Sequence, residues 1–232
     1  MRMPPMVMDE VLLLVDTYFK VQATDNKQLQ QVHKEELSAT LRSLPFYPEF
    51  HDNPTYRNIA GMHLLLMQME KVLNGTYPRS KISKLKCRVL DRYQYEIHQL
   101  GNIALAIRYI SDSELYKECL GDIDTNFLGG SLILGYHEYL ETRGKVSLQL
   151  RQYHLDMHTS KCSVCLSDLS AMYGVKGESL LELHLANPIE WYTSKAKVTE
   201  NSFIVACPNC HSLAHSDPVL FNGACLLDTI QK

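Results

Sequence analysis

Ala206-Cys207-Pro208-Asn209-Cys210-His211-Ser212-Leu213-Ala214-His215 decides how this chain is read. Cys207 and Cys210 form a C-x-x-C pair, a spacing that brings two thiolates to one ion through a tight turn. Pro208 and Asn209 suit a helix start, and on that helix the i, i+4 relation puts His211 and His215 on one face, about one turn apart. Upstream, Cys162 and Cys165 make a second C-x-x-C pair, with 41 residues between Cys165 and Cys207. Ordinary zinc ribbons separate their pairs by roughly 15–20 residues, so a functional insert is expected between the two knuckles. Four protein thiolates leave no coordination position open, which points to a structural zinc held by Cys162, Cys165, Cys207 and Cys210. The other three of the seven cysteines, Cys87, Cys119 and Cys225, stand alone as ordinary thiols.

Within the insert, Leu180-Leu181-Glu182-Leu183-His184-Leu185 reads as a strand, with Glu182 and His184 sharing a face by the period of two. His184 can then join His211 and His215 around a second ion. Three neutral imidazoles leave positions for water and a phosphate oxygen, the arrangement of a hydrolytic rather than a structural site. The competing reading has His211 or His215 replacing a cysteine in the zinc site, with His184 a satisfied core residue. Five of the ten histidines and five of the seven cysteines fall in the last third of the chain, so the chemistry is concentrated there.

These motifs in their order, Cys162-x-x-Cys165, Tyr173-Gly174-x-x-Gly177, Leu181-Glu182-Leu183-His184 and Ala206 to His215, resemble the HNH endonucleases. The likeness is greatest to the branch of methylcytosine-specific restriction endonucleases, and covers about 55 residues. Glu10 to Phe19, Glu36 to Arg42 and Arg57-Asn58-x-x-Gly61 are similar, more weakly, to the helical region that often precedes the nuclease module. The resemblance implies a ββα-metal core that cleaves a phosphodiester with a divalent ion (Mg2+, Mn2+, Ni2+ or Zn2+). It makes His184 the strand ligand, His211 and His215 the helix ligands, and the four cysteines the holders of the stabilising Zn2+. One position departs from the family: the second of its paired strand histidines, normally the general base, is Leu185 here. His158 is the leading substitute base, with His154 and Glu190 also considered. The family's middle asparagine falls at Ser202, with Asn201 one residue earlier.

The first half of the chain reads as helical. From Asp9, taken as an N-cap, Val11, Leu12, Leu14, Val15, Tyr18 and Phe19 recur at helical spacing, as do Leu37, Leu41 and Leu44 before Pro45. Ile59, Met62, Leu65, Leu66 and Met69 mark a further helix ending near Asn74-Gly75, and apolar runs at Ile103–Ile110 and Leu132–Tyr139 suggest more. The fold class expected is α+β: a mainly helical region over residues 1–152, recognising DNA or a partner, followed by a small zinc-stapled ββα-metal module over 153–232.

The formal net charge of −3 argues against binding nucleic acid through bulk positive charge. Neither part is basic: residues 1–150 hold 17 basic and 18 acidic side chains, and residues 151–232 hold 6 and 8. Any DNA contact must be local, and Arg79, Lys81, Lys84, Lys86 and Arg88 form the one strongly basic stretch, read either as a phosphate-contacting strip or as a solvated surface. No signal-like or membrane-spanning run is present, so a reducing cytoplasmic compartment without membrane attachment is expected. The function expected is a metal-dependent DNA endonuclease, of a restriction or phage-defence type. Its alternative is a catalytically impaired HNH-like module that binds nucleic acid or a protein. DNA is the expected partner, and a second copy of the chain or a defence-system protein stay open.

Overall fold

The computed structural model describes residues 3–112, 161–186 and 202–216, together with residues 132, 135, 137, 141 and 153. By its contacts the chain divides into two units, Met1–Leu132 and Ile133–Lys232. The boundary expected between residues 152 and 153 falls where only 153 is described. The architecture is α+β, with helices throughout the described part of the first unit and a two-stranded sheet in the second.

In the first unit α1 (Met8–Gln22) is the central element, packing against α2 (Lys27–Ser43), α3 (Ile59–Leu73), α4 (Lys84–Tyr93) and α5 (Ile97–Asp112). Its run Val11-Leu12-Leu13-Leu14-Val15 is buried on every side, as a helix surrounded by others requires. Each such side chain contributes about 1.5–3 kcal/mol through burial. Asp9 is not the N-cap. The helix begins one residue earlier, the Val7 N–H donates to Glu10 Oε2 at 2.9 Å, and Asp9 turns inward to accept the Leu132 N–H at 2.5 Å. Elsewhere the caps follow local chemistry, with the side chains of Asn26, Asn58 and Ser83 accepting first-turn amides of α2, α3 and α4.

One buried ion pair ties the unit together. Arg57 Nε and Nη2 donate to the two carboxylate oxygens of Glu10 at 2.6 and 2.8 Å, while its guanidinium also reaches the carbonyls of Pro4 and Pro5. The next residue, Asn58, caps α3 through the Gly61 amide, so Arg57-Asn58-x-x-Gly61 joins an ion pair to a helix start.

The second unit is built on the two knuckles. Cys162–Ser167 makes a tight turn closed by the Lys161–Asp168 bridge, and Asp168 caps α6 (Leu169–Tyr173) by accepting the Ala171 N–H at 3.0 Å. Gly174, at φ +65°, links α6 to α7 (Val175–Glu178). A side chain at Gly177 would place its Cβ 1.9 Å from the Leu169 carbonyl oxygen, so the Gly-x-x-Gly spacing is a requirement of this corner. β1 (Glu182–Leu185) pairs antiparallel with β2 (Phe203–Ala206), setting His184 opposite Ile204 and Leu185 opposite Phe203. α8 (Pro208–Ala214) packs on both strands, over a core that includes Leu181, Leu183, Leu185, Phe203 and Val205.

Candidate metal centres

The four cysteines predicted as ligands gather at one point, each offering a sulfur within 4.8 Å of the others. Cys162 and Cys165 come from the turn before α6, while Cys207 caps α8 and Cys210 lies in its first turn. Cys165 Sγ and Cys207 Sγ are 3.8 Å apart, the edge of a tetrahedron with Zn–S bonds of about 2.3 Å. The backbone is arranged for thiolate: Val164, Cys165 and Cys207 all aim their N–H groups at Cys162 Sγ, at 3.4, 3.5 and 3.2 Å. The Ser163 N–H donates to the Val205 carbonyl at 2.8 Å, fastening the first knuckle to β2.

Without a cation the buried thiols of the second knuckle resist ionisation. Burial pushes up the pKa of Cys207 and Cys210, with the neighbouring sulfurs adding to the rise at Cys210. At Cys165 burial acts in the same upward sense, but hydrogen bonding from Ser167 and the other thiols brings the net value down to about 6. A divalent ion resolves this conflict by neutralising the thiolates, so the donor set fits a structural metal.

The three predicted histidines also converge. His184, fully buried on β1, points to the same place as His211 and His215 on α8, whose rings lie 4.5 Å apart. Two residues that sequence reasoning missed complete the cluster: His137 and Glu141, one helical turn apart and both buried. The Glu141 carboxylate lies at the middle. Its Oε1 is 2.6 Å from His137 Nε2 and 3.1 Å from His184 Nδ1, and its Oε2 is 2.8 Å from the Nε2 atoms of both His211 and His215. The Leu185 N–H also donates to Oε1 at 2.6 Å.

Electrostatics follow from this crowding. Burial alone would raise the pKa of Glu141, but the four imidazoles in contact with its carboxylate hold it far below the usual carboxylate range. Burial drives His137 down to about 4, against the pull of Glu141. At His211 burial also lowers the pKa, but Glu141 and Glu182 outweigh it and leave the ring easier to protonate than a free histidine. Glu182 Oε2 stands 2.6 Å from His211 Nδ1, an outer carboxylate that orients the ring and directs Nε2 inward. His211 and His215 are the members that reach the surface, 18% and 19% exposed, against 0% for His137 and His184.

Four imidazoles and a carboxylate form a donor set suited to a divalent transition ion. His184, His211 and His215 are separate from the four-cysteine cluster, so neither His211 nor His215 takes a cysteine's place there. Leu185 is 1% exposed and belongs to the apolar core, where it can accept no proton. Ser202 is buried beside β2, and its carbonyl accepts the Ala186 N–H at 2.8 Å. His154, His158, Glu190 and Asn201 lie outside the described residues.

The basic stretch belongs to the first unit, on a 3-10 turn at Arg79–Lys81 followed by α4. Arg79, Lys84, Arg88 and Arg92 line a cleft of about 800 Å³ together with Cys87 and Asp91, which forms an ion pair with Arg79. Arg79, Lys81, Lys84 and Arg88 are exposed, as a phosphate strip requires. Lys86 differs: it is half-buried, and desolvation, helped by Arg57, lowers its pKa.

No family model, no curated protein and no solved structure matches this chain. Among the described residues no helix is long and apolar enough to cross a membrane.

Proposed function

We propose that the second unit is a metal-dependent phosphodiester hydrolase of HNH type, a DNA endonuclease in a restriction or defence role, with a ββα-metal core formed by β1, β2 and α8. The observation that carries this reading is the meeting of His184 from β1 with His211 and His215 from one face of α8, beside four cysteines clustered as a structural zinc site. His184, His211 and His215, with Glu141, would hold the divalent ion. Such an ion supplies Lewis-acid polarisation of the phosphoryl group and stabilises the charge that develops on the leaving oxygen.

The chain's own residues do the rest. Glu182 fixes the His211 ring, and the buried pair His137 and Glu141 backs the site from inside. The partial exposure of His211 and His215 leaves their side as the approach for a phosphate. In the first unit Arg79, Lys81, Lys84 and Arg88 are available to hold a nucleic-acid backbone, each neutralised phosphate releasing counterions.

A second reading rests on Leu185. With no proton acceptor at that strand position, the module is instead an impaired nuclease that binds nucleic acid or a protein. Loss of a general base typically costs about 10²- to 10⁴-fold in rate. Nicking of supercoiled plasmid with Mg2+, Mn2+ or Ni2+ separates the two readings. Cleavage by the wild type that His211→Ala abolishes supports the hydrolase. A wild type inert with every metal, and activated by Leu185→His, establishes the impaired module.

A further inference from the structure

Glu141 divides the four histidines into two pairs, one at each carboxylate oxygen. Oε1 has His137 Nε2 at 2.6 Å and His184 Nδ1 at 3.1 Å, and both rings are fully buried. Oε2 has His211 Nε2 and His215 Nε2, each at 2.8 Å, and these two nitrogens lie 3.0 Å from one another. Donors bound at right angles to a common ion, with bonds of about 2.1 Å, lie about 3.0 Å apart. Oε2 and its two nitrogens therefore describe a closed triangle with the edges of one octahedral face, a two-histidine, one-carboxylate face that leaves the opposite positions free.

A single ion does not accommodate all five residues as they stand. His137, Glu141, His184 and His215 present donor atoms within 4.8 Å of one another, and His211 does not join that group. Two donors on opposite sides of one ion are separated by at most about 4.4 Å at bond lengths of about 2.2 Å. His211 is nevertheless held in place by Glu182 on its other nitrogen, the outer-shell contact expected of a metal-bound imidazole.

We propose that Glu141 is a bridging ligand in a dinuclear centre. An inner ion is held by His137, His184 and Oε1, and an outer ion by His211, His215 and Oε2. Two-metal phosphodiester sites hold their ions roughly 3.5–4 Å apart, a separation that the two oxygens of one carboxylate can span. The inner ion is enclosed by buried side chains, whereas the outer ion faces the exposed edge of the cluster and is the one a substrate phosphate meets. The proposal deepens the hydrolase reading by giving His184 to a second, inner ion in place of the single ion drawn above, and rests on that reading for the substrate, while the ion count is measured separately.

The test loads the full chain, stripped of metal at its His/Glu centre and retaining zinc in its cysteines, with Mn2+. Metal content is measured by mass spectrometry and coupling by electron paramagnetic resonance. Two manganese ions per chain with an exchange-coupled spectrum are expected. His137→Ala should fall to one ion with an uncoupled six-line spectrum, and Glu141→Gln should lose the coupling. One manganese per chain in the wild type, or two without coupling, overturns the proposal regardless of how the variants fold. The same samples are assayed for plasmid nicking. Cleavage with one ion bound refutes the pair and keeps the hydrolase, while a coupled pair that cuts nothing keeps the pair and refutes the hydrolase.

Discussion

Cys162→Ser should unfold the second unit, for reasons that can be followed atom by atom. The Cys162 sulfur is fully buried and receives three backbone N–H groups at 3.2–3.5 Å, one of them from Cys207, the residue that starts α8. At about 1 kcal/mol each, the value of an ordinary hydrogen bond and below that to a charged oxygen because sulfur is a soft acceptor, these contribute on the order of 3 kcal/mol. A structural zinc contributes about 10–16 kcal/mol to small metal-dependent folds, so one ligand in four adds roughly another 3 kcal/mol. The sum, about 6 kcal/mol, is comparable with the whole net stability of a typical domain, about 5–15 kcal/mol. The unit's described core is small and has cysteines within it, so little else can compensate. Zinc content and limited proteolysis of the full chain provide the assay. The variant should lose its zinc and be cut between residues 161 and 216, as should the wild type after strong chelation, whereas Cys87→Ser should match the wild type. A Cys162→Ser protein that keeps one zinc per chain and resists protease like the wild type would refute the reasoning.

In the first unit, Arg57→Met leaves the buried Glu10 carboxylate without its bidentate partner and should cost about 3–5 kcal/mol in urea denaturation. Glu10→Leu combined with Arg57→Met should recover most of that loss, and a double variant no better than the single one contradicts the ion-pair account. Gly177→Ala drives a Cβ into the Leu169 carbonyl and should lower the melting temperature of the second unit; a change within error would mean the corner can open at no cost. For pH, the metal-free protein is informative. Glu141, held below its ordinary value, stabilises fully above about pH 4.3 and loses that stabilisation as pH falls through its folded value. His137, with a folded pKa near 4, costs stability as pH falls from about 6.5, because the unfolded chain takes up the proton first. His211, whose pKa is raised, acts in the opposite sense, with its stabilisation complete below about 6.5 and lost as pH rises through its folded value. Thermal melts between pH 7.5 and 4.5 should therefore show a shallower acid loss for His137→Gln than for the wild type, and equal slopes would discount that burial.

Much of the second unit was legible because its chemistry sits at fixed local spacings. Two C-x-x-C pairs, the i, i+4 histidines after Pro208 and the alternation around His184 each specify a piece of backbone before any packing is known. The helices of the first unit were legible for the same reason, since Val11 to Phe19 and Ile59 to Met69 carry a helical period. His137 and Glu141 were not recognised, although their four-residue spacing on an apolar helical run was visible. That spacing is common on helices, and only the fold brings it to β1 and α8. Asp9 misled because it precedes an apolar run as an N-cap would, while the helix began at Met8 and used Glu10 to satisfy the Val7 amide. The half-burial of Lys86 was hidden likewise, because charge alone does not tell which lysine of a basic stretch turns inward.

The central claim is that the His/Glu cluster is a divalent-metal centre distinct from the four-cysteine site. Crystals of the full chain grown with Mn2+, with anomalous data collected at the manganese and zinc edges, test it most directly. The account predicts a zinc peak among Cys162, Cys165, Cys207 and Cys210, and manganese density within about 2.0–2.3 Å of Glu141 Oε2 and the Nε2 atoms of His211 and His215. A cluster without manganese, its carboxylate still enclosed by the four imidazoles alone, would contradict it.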